Sequence, residues 1–267
     1  SPNVRQSLDA AIDPGATLTH PLDKQFETHL AAPRPERNGR CVADGYARGL
    51  GMQFGKLRDL IRSHPLYQEA ARAAGTRSII SEDNRMNLFL LLNYFIPHQA
   101  GYGDVLEFGA YRGGNALFMA KVMSQSMPKA RIYALDTYKG MPETDLTVDR
   151  HKAGDFADVD LTEIRRHAQG LGLGNLEFVQ GLFEDTTPAL LDRVERISLV
   201  HVDCDIYSAV KYSYDICKPK MVDGGYYVFD DALYSSCIGA TEAVEEVVIG
   251  RDGLRSEQIF PHFVFRA

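Results

Sequence analysis

The sequence predicts an α/β protein with a Rossmann-like, doubly wound and mainly parallel sheet, preceded by an N-terminal helical extension. Two observations predict this fold. From residue 101 onward, short apolar runs alternate with segments of helical length, which is typical of a parallel sheet covered by helices on both faces. Before residue 101 the longer apolar segments are helical in pattern. We therefore divide the chain into residues 1–100 and residues 101–267.

Composition excludes several classes of protein. The chain has 267 residues, enough for a substantial core, and a formal net charge of −7. That charge argues against a general nucleic-acid binder, which needs clustered Lys and Arg. The longest apolar stretch, residues 86–96, is too short to span a membrane. The four cysteines form no CxxC pair and no zinc-like spacing, so reduced thiols in a cytoplasmic protein are predicted: they are Cys41, Cys204, Cys217 and Cys237.

The elements are expected in this order. Residues 1–40 form a loose arm in which PLDKQFETHL is a possible short helix, and helices follow over 43–75 and 83–97. The strands are expected in the apolar runs DVLEFG, RIYALD, LEFVQG, ISLVHVD, YYVFDD and IFPHFVFRA. The helices between them are expected near 114–126, 160–171, 186–193, 208–217 and 239–249. Because ligands bind at the carboxyl ends of parallel strands, the residues that follow each strand are the candidate site.

The first strand carries a single acidic residue, Glu107, just before a glycine-rich turn in VLEFGAYRGG. The turn is not a GxGxxG fingerprint, because Tyr111 stands where the second glycine would meet a pyrophosphate, so a dinucleotide is disfavoured. A carboxylate in this position suits a cationic group on a ligand. The glycines alone are explained equally well by a tight turn between strand and helix, but a buried carboxylate needs a partner.

Each of the next two strand ends has two interpretations. Asp136 would accept hydrogen bonds from the hydroxyls of a ribose, or cap a turn or helix. The residues after Gly181 would flank a purine, although Phe183 could equally belong to the core.

Acidic residues follow the fourth and fifth strands in HVDCDIY and VFDD. These strands are neighbours in a doubly wound sheet, so Asp203, Asp230 and Asp231 should converge. Clustered carboxylates repel one another unless they are solvated or bind a hard cation such as Mg²⁺. The alternative is that the acids cap the following helices. For Asp205, capping could be the sole role. His201, inside an apolar strand, is interpreted as a core residue.

Taken together, the ordered motifs resemble class I S-adenosylmethionine-dependent O-methyltransferases. EFGAYRGGNALFMA is similar to the first motif of catechol O-methyltransferase, and the resemblance is closer to the macrocin O-methyltransferase family, which methylates sugar hydroxyls in natural-product pathways. The stretches that resemble this family are LDTYKGMPETD, FADVDLTEIRRH, VQGLFEDTTPALL, HVDCDIYSAV and PKMVDGGYYVFDDA. The resemblance covers about residues 100–248.

The resemblance implies a role for each candidate residue. Glu107 would hold the methionyl ammonium, Asp136 the ribose, and Asn115 would lie near the methionyl carboxylate. Gly109, Tyr111 and Gly113 would shape the methionine pocket, and Gly181, Phe183 and Glu184 would border the adenine. Phe108, Thr137 and Asp203 complete the implied cofactor site. The implied metal ligands, for Mg²⁺ or another hard divalent cation, are Asp203, Asp230 and Asp231.

The resemblance also implies the reaction, transfer of the methyl group to a deoxysugar hydroxyl on a nucleotide-activated sugar or a glycosylated natural product. Ile206 stands where catechol-type enzymes have a lysine base, so Asp203 is the predicted general base and Asp205 the second choice. Apart from the resemblance, the placement of residues 1–100 before the sheet leads us to expect a lid and much of the acceptor pocket there. A homo-oligomer, a dimer or higher, is the default expectation, and the composition predicts binding to neither nucleic acid nor membrane. The alternatives are a glycosyltransferase that uses the DxD at 203–205, a catechol-type methyltransferase, and a binding protein without catalysis.

Overall fold

A computed structural model describes residues 19–267. The N-terminal portion is helical, as predicted, and includes one short hairpin. Its elements are α1 Pro21–Ala31, β1 Glu36–Arg37, β2 Arg40–Cys41, α2 Val42–Phe54, α3 Leu57–Ser63, α4 Pro65–Ala74 and α5 Glu82–Leu90, which continues as a π-helical turn over Leu91–Phe95. PLDKQFETHL is the helix α1. The first 18 residues of the predicted arm lie outside the described residues.

From residue 104 to residue 251 strands and helices alternate as the sequence predicts. The end of the chain differs, because the strand Ser256–Gln258 was not predicted and the predicted strand IFPHFVFRA is limited to Phe263–Arg266. The strands are β3 Asp104–Phe108, β4 Ile132–Asp136, β5 Leu176–Gln180, β6 Ile197–Val202, β7 Met221–Phe229, β8 Ser256–Gln258 and β9 Phe263–Arg266. The helices are α6 Gly114–Ser126, α7 Leu161–Gly170, α8 Phe183–Leu191, α9 Tyr207–Cys217 and α10 Ile238–Ala243, which continues as a π-helical segment to Arg251. Helix α8 begins three residues earlier than expected, so Phe183 and Glu184 form its first turn.

One seven-stranded sheet has the order β5-β4-β3-β6-β7-β9-β8. The pairs among β3 to β7 are parallel, and β9 pairs antiparallel with both β7 and β8. The predicted fold class is therefore confirmed, and so is the predicted adjacency of the strands that end in HVD and VFDD, which are β6 and β7.

The two faces of the sheet pack against different helices, because successive strand residues point to opposite faces. On β3, Val105 belongs to one apolar core and Leu106 to the other. The first core includes residues of α1 to α7, and the second includes residues of α8 to α10. The N-terminal helices thus share a core with the sheet. Among the described residues, no helix is long and apolar enough to cross a membrane.

A buried ion pair ties the N-terminal helices to the last strands. Arg48 of α2 and Glu257 of β8 are both fully buried at the side chain, with Nη2 and Oε1 2.6 Å apart. Nε of Arg48 donates to Gln258 over 2.9 Å, and the guanidinium lies 4.3 Å from the ring centre of Phe95. Since a buried charge is costly without its partner, these contacts fix the position of α2 against the sheet.

Candidate functional site

A cavity of about 710 Å³ opens at the carboxyl edge of the sheet. Its volume is in the range of small-molecule sites, about 300–1,000 Å³. Loops after β3, β4, β6 and β7 supply most of its wall. The predicted site residues that line it are Gly109, Tyr111, Asp136, Thr137, Phe183, Glu184, Asp203, Asp205, Asp230 and Asp231. Parallel strands deliver all of these to one place because their carboxyl ends share an edge.

Glu107 is fully buried on β3 and only half satisfied. Its Oε1 accepts a hydrogen bond from Nδ2 of Asn115 over 2.6 Å and lies 3.1 Å from Nδ1 of His201. Its Oε2 has no hydrogen-bond partner among the described residues. A second cavity, of about 20 Å³, adjoins this residue and is also lined by Gly109, Asn115 and Asp203. Buried carboxylate oxygens are nearly always paired in proteins, so an unpaired one beside a cavity is suited to a donor on a ligand.

The glycines of the turn are required by close packing of the chain. At Gly109 φ is +93°, and a Cβ would lie 1.7 Å from the carbonyl oxygen of Asp203. At Gly113 φ is +70°, and a Cβ would meet Ile164 and Phe178 within 3.0 Å. The packing explanation therefore holds for both. Gly109 also lines the cavity.

Three predicted cofactor residues, Phe108, Gly113 and Gly181, are not among the described residues that line either cavity. Phe108 is buried in the core and packs edge-to-face on Phe183, with ring centres 5.1 Å apart. A direct cofactor contact for these three stays a prediction.

Asp136 caps a turn and also faces the cavity. Its Oδ2 accepts from the backbone N–H of Tyr111 over 2.8 Å, and its Oδ1 accepts from that of Tyr138 over 2.7 Å. Burial raises the pKa of Asp136, although the two amide donors oppose this. Oδ1 also lies 3.4 Å from the hydroxyl of Thr137, whereas Oδ2 keeps a lone pair, so the capping and the ribose interpretations are compatible.

The acidic residues after β6 and β7 converge as predicted. Asp203, Asp230 and Asp231, here called the acidic trio, each offer a carboxylate oxygen within 4.8 Å of the others. Burial and the mutual repulsion of the carboxylates raise the pKa of Asp203 well above its usual range, and burial together with Asp205 and Asp230 does the same for Asp231. A hard cation bound to these oxygens would neutralise the repulsion.

Asp230 is held by three side chains that the sequence did not single out as site residues. Its Oδ1 accepts from Asn84 Nδ2 over 2.9 Å, and lies 3.3 Å from Nε2 of His201 and 3.3 Å from Nδ1 of His262. Burial alone would raise the pKa of Asp230, but the two histidines outweigh it and hold the pKa below the usual range.

His201 bridges the two halves of the site. Its Nδ1 faces Glu107 and its Nε2 faces Asp230, so a doubly protonated ring donates to both carboxylates. Burial lowers the pKa of His201, but the hydrogen bonds to Asp230 and Glu107 outweigh it and raise the pKa to about 9. The prediction of a satisfied core residue is confirmed for its burial, and its partners are the candidate site carboxylates.

Asp205 does not cap the following helix, so that interpretation is wrong. The N-cap of α9 is Ile206, and the amide of Tyr207 donates to Asp149 instead. Asp205 has a left-handed backbone, with φ +62°, and its own amide donates to Oδ2 of Asp231 over 2.9 Å.

The chain matches known proteins over most of this region. The family described as Macrocin-O-methyltransferase (TylF) matches residues 77–248. The 8-demethyl-8-(2,3-dimethoxy-alpha-L-rhamnosyl)-tetracenomycin-C 4'-O-methyltransferase of Streptomyces olivaceus is 29% identical over 145 residues, 51% of this chain and 55% of that protein. Mycinamicin III 3''-O-methyltransferase of Micromonospora griseorubida is 28% identical over 156 residues, 54% of this chain and 59% of that protein. The matches thus span less than two thirds of these relatives.

Two solved structures share the fold. The O-methyltransferase NovP aligns with a TM-score of 0.62 at 21% identity, covering 79% of this chain and 94% of that one. CalS11, a calicheamicin methyltransferase, aligns with a TM-score of 0.58 at 17% identity, covering 100% and 98%. At these identities the likeness concerns the fold alone.

Proposed function

The chain belongs to the macrocin O-methyltransferase family, and from that premise we propose that it methylates a sugar hydroxyl with S-adenosylmethionine and a divalent cation. The observation that carries the proposal is the buried Oε2 of Glu107, which has no partner among the described residues. Glu107 lines the small cavity together with Asp203, and Asp203 also lines the main cavity with the rest of the acidic trio. The relatives from Streptomyces olivaceus and Micromonospora griseorubida are named as 4'-O- and 3''-O-methyltransferases. Their names support a deoxysugar acceptor, on a nucleotide or on a glycosylated natural product of antibiotic biosynthesis.

The residues present fit the cofactor. Oε2 of Glu107 would accept from the methionyl ammonium, and Asn115, whose Oδ1 is also buried without a partner, lies beside it. Asp136 would accept from the ribose hydroxyls, and Phe183 and Glu184 would border the adenine. S-adenosylmethionine supplies a methyl group activated by a sulfonium.

The acidic trio fits a hard cation, since it offers only oxygen ligands. Bound there, Mg²⁺ would act as a Lewis acid that lowers the pKa of the acceptor hydroxyl. Asp203 lines the cavity, so its carboxylate is our candidate to accept the hydroxyl proton, and Asp205 is the second. Asn84, His201 and His262 hold the neighbouring Asp230 in place. Among the described residues that line the main cavity there is no lysine or histidine that would compete for the role of base.

We also propose that the segment before β3 closes over the acceptor. Ile79 and Ile80 are the residues of the described 19–100 portion that line the cavity, and Ile79 is 67% exposed. An exposed apolar side chain at a cavity rim suits the apolar face of a glycosylated product. Limited proteolysis with cofactor and acceptor should protect this segment, and digestion unchanged by ligands would count against a lid.

The predicted homo-oligomer is supported by one face of α2. Val42, Tyr46, Leu50 and Phe54 recur every four residues and form an apolar stripe, with exposed fractions from 38% to 76%. Such a stripe is self-complementary when two copies pack antiparallel, as a two-fold dimer requires. The predicted cytoplasmic location is part of the proposal and is supported by four cysteines that are all free.

The first test is calorimetric titration of S-adenosylmethionine into the full chain, with Mg²⁺ and again with a chelator. Binding in both conditions would support the cofactor and assign the cation to the acceptor side. Deoxysugar nucleotides and glycosylated products should then gain one methyl group, with Mg²⁺ and not with chelator. No cofactor binding in either condition would refute the proposal. Family membership speaks against the glycosyltransferase alternative, whereas a catechol-like acceptor would be recognised in the same screen.

A further inference from the structure

A second group of side chains with ligand atoms lies beside the acidic trio. His151 comes from the long loop between β4 and α7, Asp205 follows β6, and Cys237 precedes α10. Sγ of Cys237 lies 3.4 Å from Oδ1 of Asp205 and 3.9 Å from Nε2 of His151, and that nitrogen lies 3.5 Å from Oδ1 of Asp205. The three atoms therefore form a nearly equilateral triangle.

The size of this triangle matches one face of a tetrahedral zinc site. With Zn–S near 2.3 Å and Zn–N and Zn–O near 2.0–2.2 Å, tetrahedral angles require ligand atoms about 3.3–3.6 Å apart. Two of the three distances fall in that range, and the third, from Cys237 to His151, exceeds it by a few tenths of an ångström. Rotation of one side chain would close that gap.

The histidine is oriented as metal-binding histidines are. Nδ1 of His151, the ring nitrogen away from the triangle, lies 3.3 Å from Oδ2 of Asp155, and that oxygen also accepts from the amide of Lys152 over 3.1 Å. Histidine ligands almost always donate their second N–H to a carboxylate or carbonyl, which fixes the ring and makes the free nitrogen a better ligand. This contact is independent of the triangle itself.

We propose that His151, Asp205 and Cys237 bind zinc or a similar thiophilic divalent cation, at a site distinct from the acidic trio. The trio offers only oxygen atoms and suits a hard cation, whereas a thiolate and an imidazole select a softer one. On binding, the cation forms a bond to Sγ of Cys237, and the thiol proton leaves to solvent. Of the three proposed ligands, Asp205 also lines the main cavity.

The bound cation would fix one wall of the cavity. His151 belongs to the loop whose residues Met141, Pro142 and Phe156 line the cavity, while Asp205 and Cys237 belong to the segments after β6 and β7. One ion bonded to all three would cross-link that loop to the sheet. It would also occupy the carboxylate of Asp205, which would then be unavailable as the second candidate base and would leave that role to Asp203.

Cobalt(II) is the probe, because a thiolate ligand gives a near-ultraviolet charge-transfer band that a site of carboxylates does not give. The chelator-treated full chain should develop this band on titration with Co²⁺, together with the visible bands of a tetrahedral ion, and equimolar Zn²⁺ should remove both. Cys237→Ser should abolish the charge-transfer band, and the matched control Cys41→Ala, in the N-terminal hairpin, should keep it. Asp230→Asn should also keep it, since Asp230 belongs to the acidic trio and its side chain hydrogen-bonds to Asn84, His201 and His262 rather than to the triangle.

Asp155→Asn gives a second test that leaves all three ligands in place. It should weaken Co²⁺ binding about 10- to 100-fold, as changes behind a histidine ligand do. His151→Ala, on the loop, provides a loss-of-ligand variant if Cys237→Ser fails to fold. Absence of the charge-transfer band in the parent chain, or its survival in both Cys237→Ser and His151→Ala, would overturn the proposal.

Discussion

Replacing Glu107 with glutamine tests the cofactor site at the atom that the fold leaves unpaired. The substitution keeps the shape of the side chain and removes its negative charge. Loss of one partner from a buried charge pair costs about 2–5 kcal/mol. The carboxylate of Asp203 lies within 4.8 Å of Glu107 and His201 and would still attract an ammonium. We therefore expect the lower part of the range, about 2–3.5 kcal/mol, which is roughly a 30- to 300-fold increase in Kd.

Calorimetric titration with S-adenosylmethionine in the presence of a chelator measures this change apart from any metal effect. Glu184→Gln is the matched control, because Glu184 also lines the cavity but is exposed. Exposed charges contribute at most about 1 kcal/mol, so its Kd should rise less than about fivefold. Thermal melting of both variants checks that each is folded. Parent-like affinity in a folded Glu107→Gln would mean that the ammonium binds elsewhere, and the assignment of this carboxylate would be wrong.

Three further predictions address the metal, the fold and the assembly. Asp203→Asn should abolish methyl transfer while the calorimetric Kd for S-adenosylmethionine stays within about tenfold of the parent, and substantial turnover would refute its role as base. Arg48→Met should lower the free energy of unfolding in urea by less than the roughly 3–5 kcal/mol of an uncompensated buried charge, because Nε of Arg266 stays 3.4 Å from Glu257, and Arg48→Met with Glu257→Leu should recover part of the loss. Phe54→Asp should convert a dimer into monomers in sedimentation velocity, whereas unchanged sedimentation would exclude the α2 stripe as the interface.

The fold could be predicted because its signal is local. Each strand of the parallel part is a short apolar run that ends in glycine or acid, and each crossover has helical length. The convergence of Asp203 with Asp230 and Asp231 followed from the same reasoning, since adjacent parallel strands end at one edge. Helix α8 began earlier than expected because Gly181 ends the strand without a spacer, and Leu182 serves as the N-cap.

The side chains that hold the site carboxylates in place could not be predicted, because their positions depend on strand register and on segments distant in sequence. His201 stands between two valines, like many core histidines, and only the pairing of β3 with β6 sets it directly beside Glu107. Asn84 and His262 reach Asp230 from 146 and 32 residues away in sequence. The sequence of the helical extension likewise did not indicate that α5 contributes Asn84 to the site. Polar residues are common in the first turn of surface helices, so Asn84 was not distinguished from them.

The charges of the assembled site explain why the acidic residues were its strongest signal. Glu107 and the acidic trio bring four carboxylates together, and His201 supplies a single positive charge between them. S-adenosylmethionine carries a net charge of +1, because its sulfonium and ammonium are positive and its carboxylate is negative, and Mg²⁺ carries +2. With both bound, the charges of this group balance. Without them the excess negative charge has to be relieved by protonation, which is the direction in which the pKa of Asp203 and that of Asp231 are shifted.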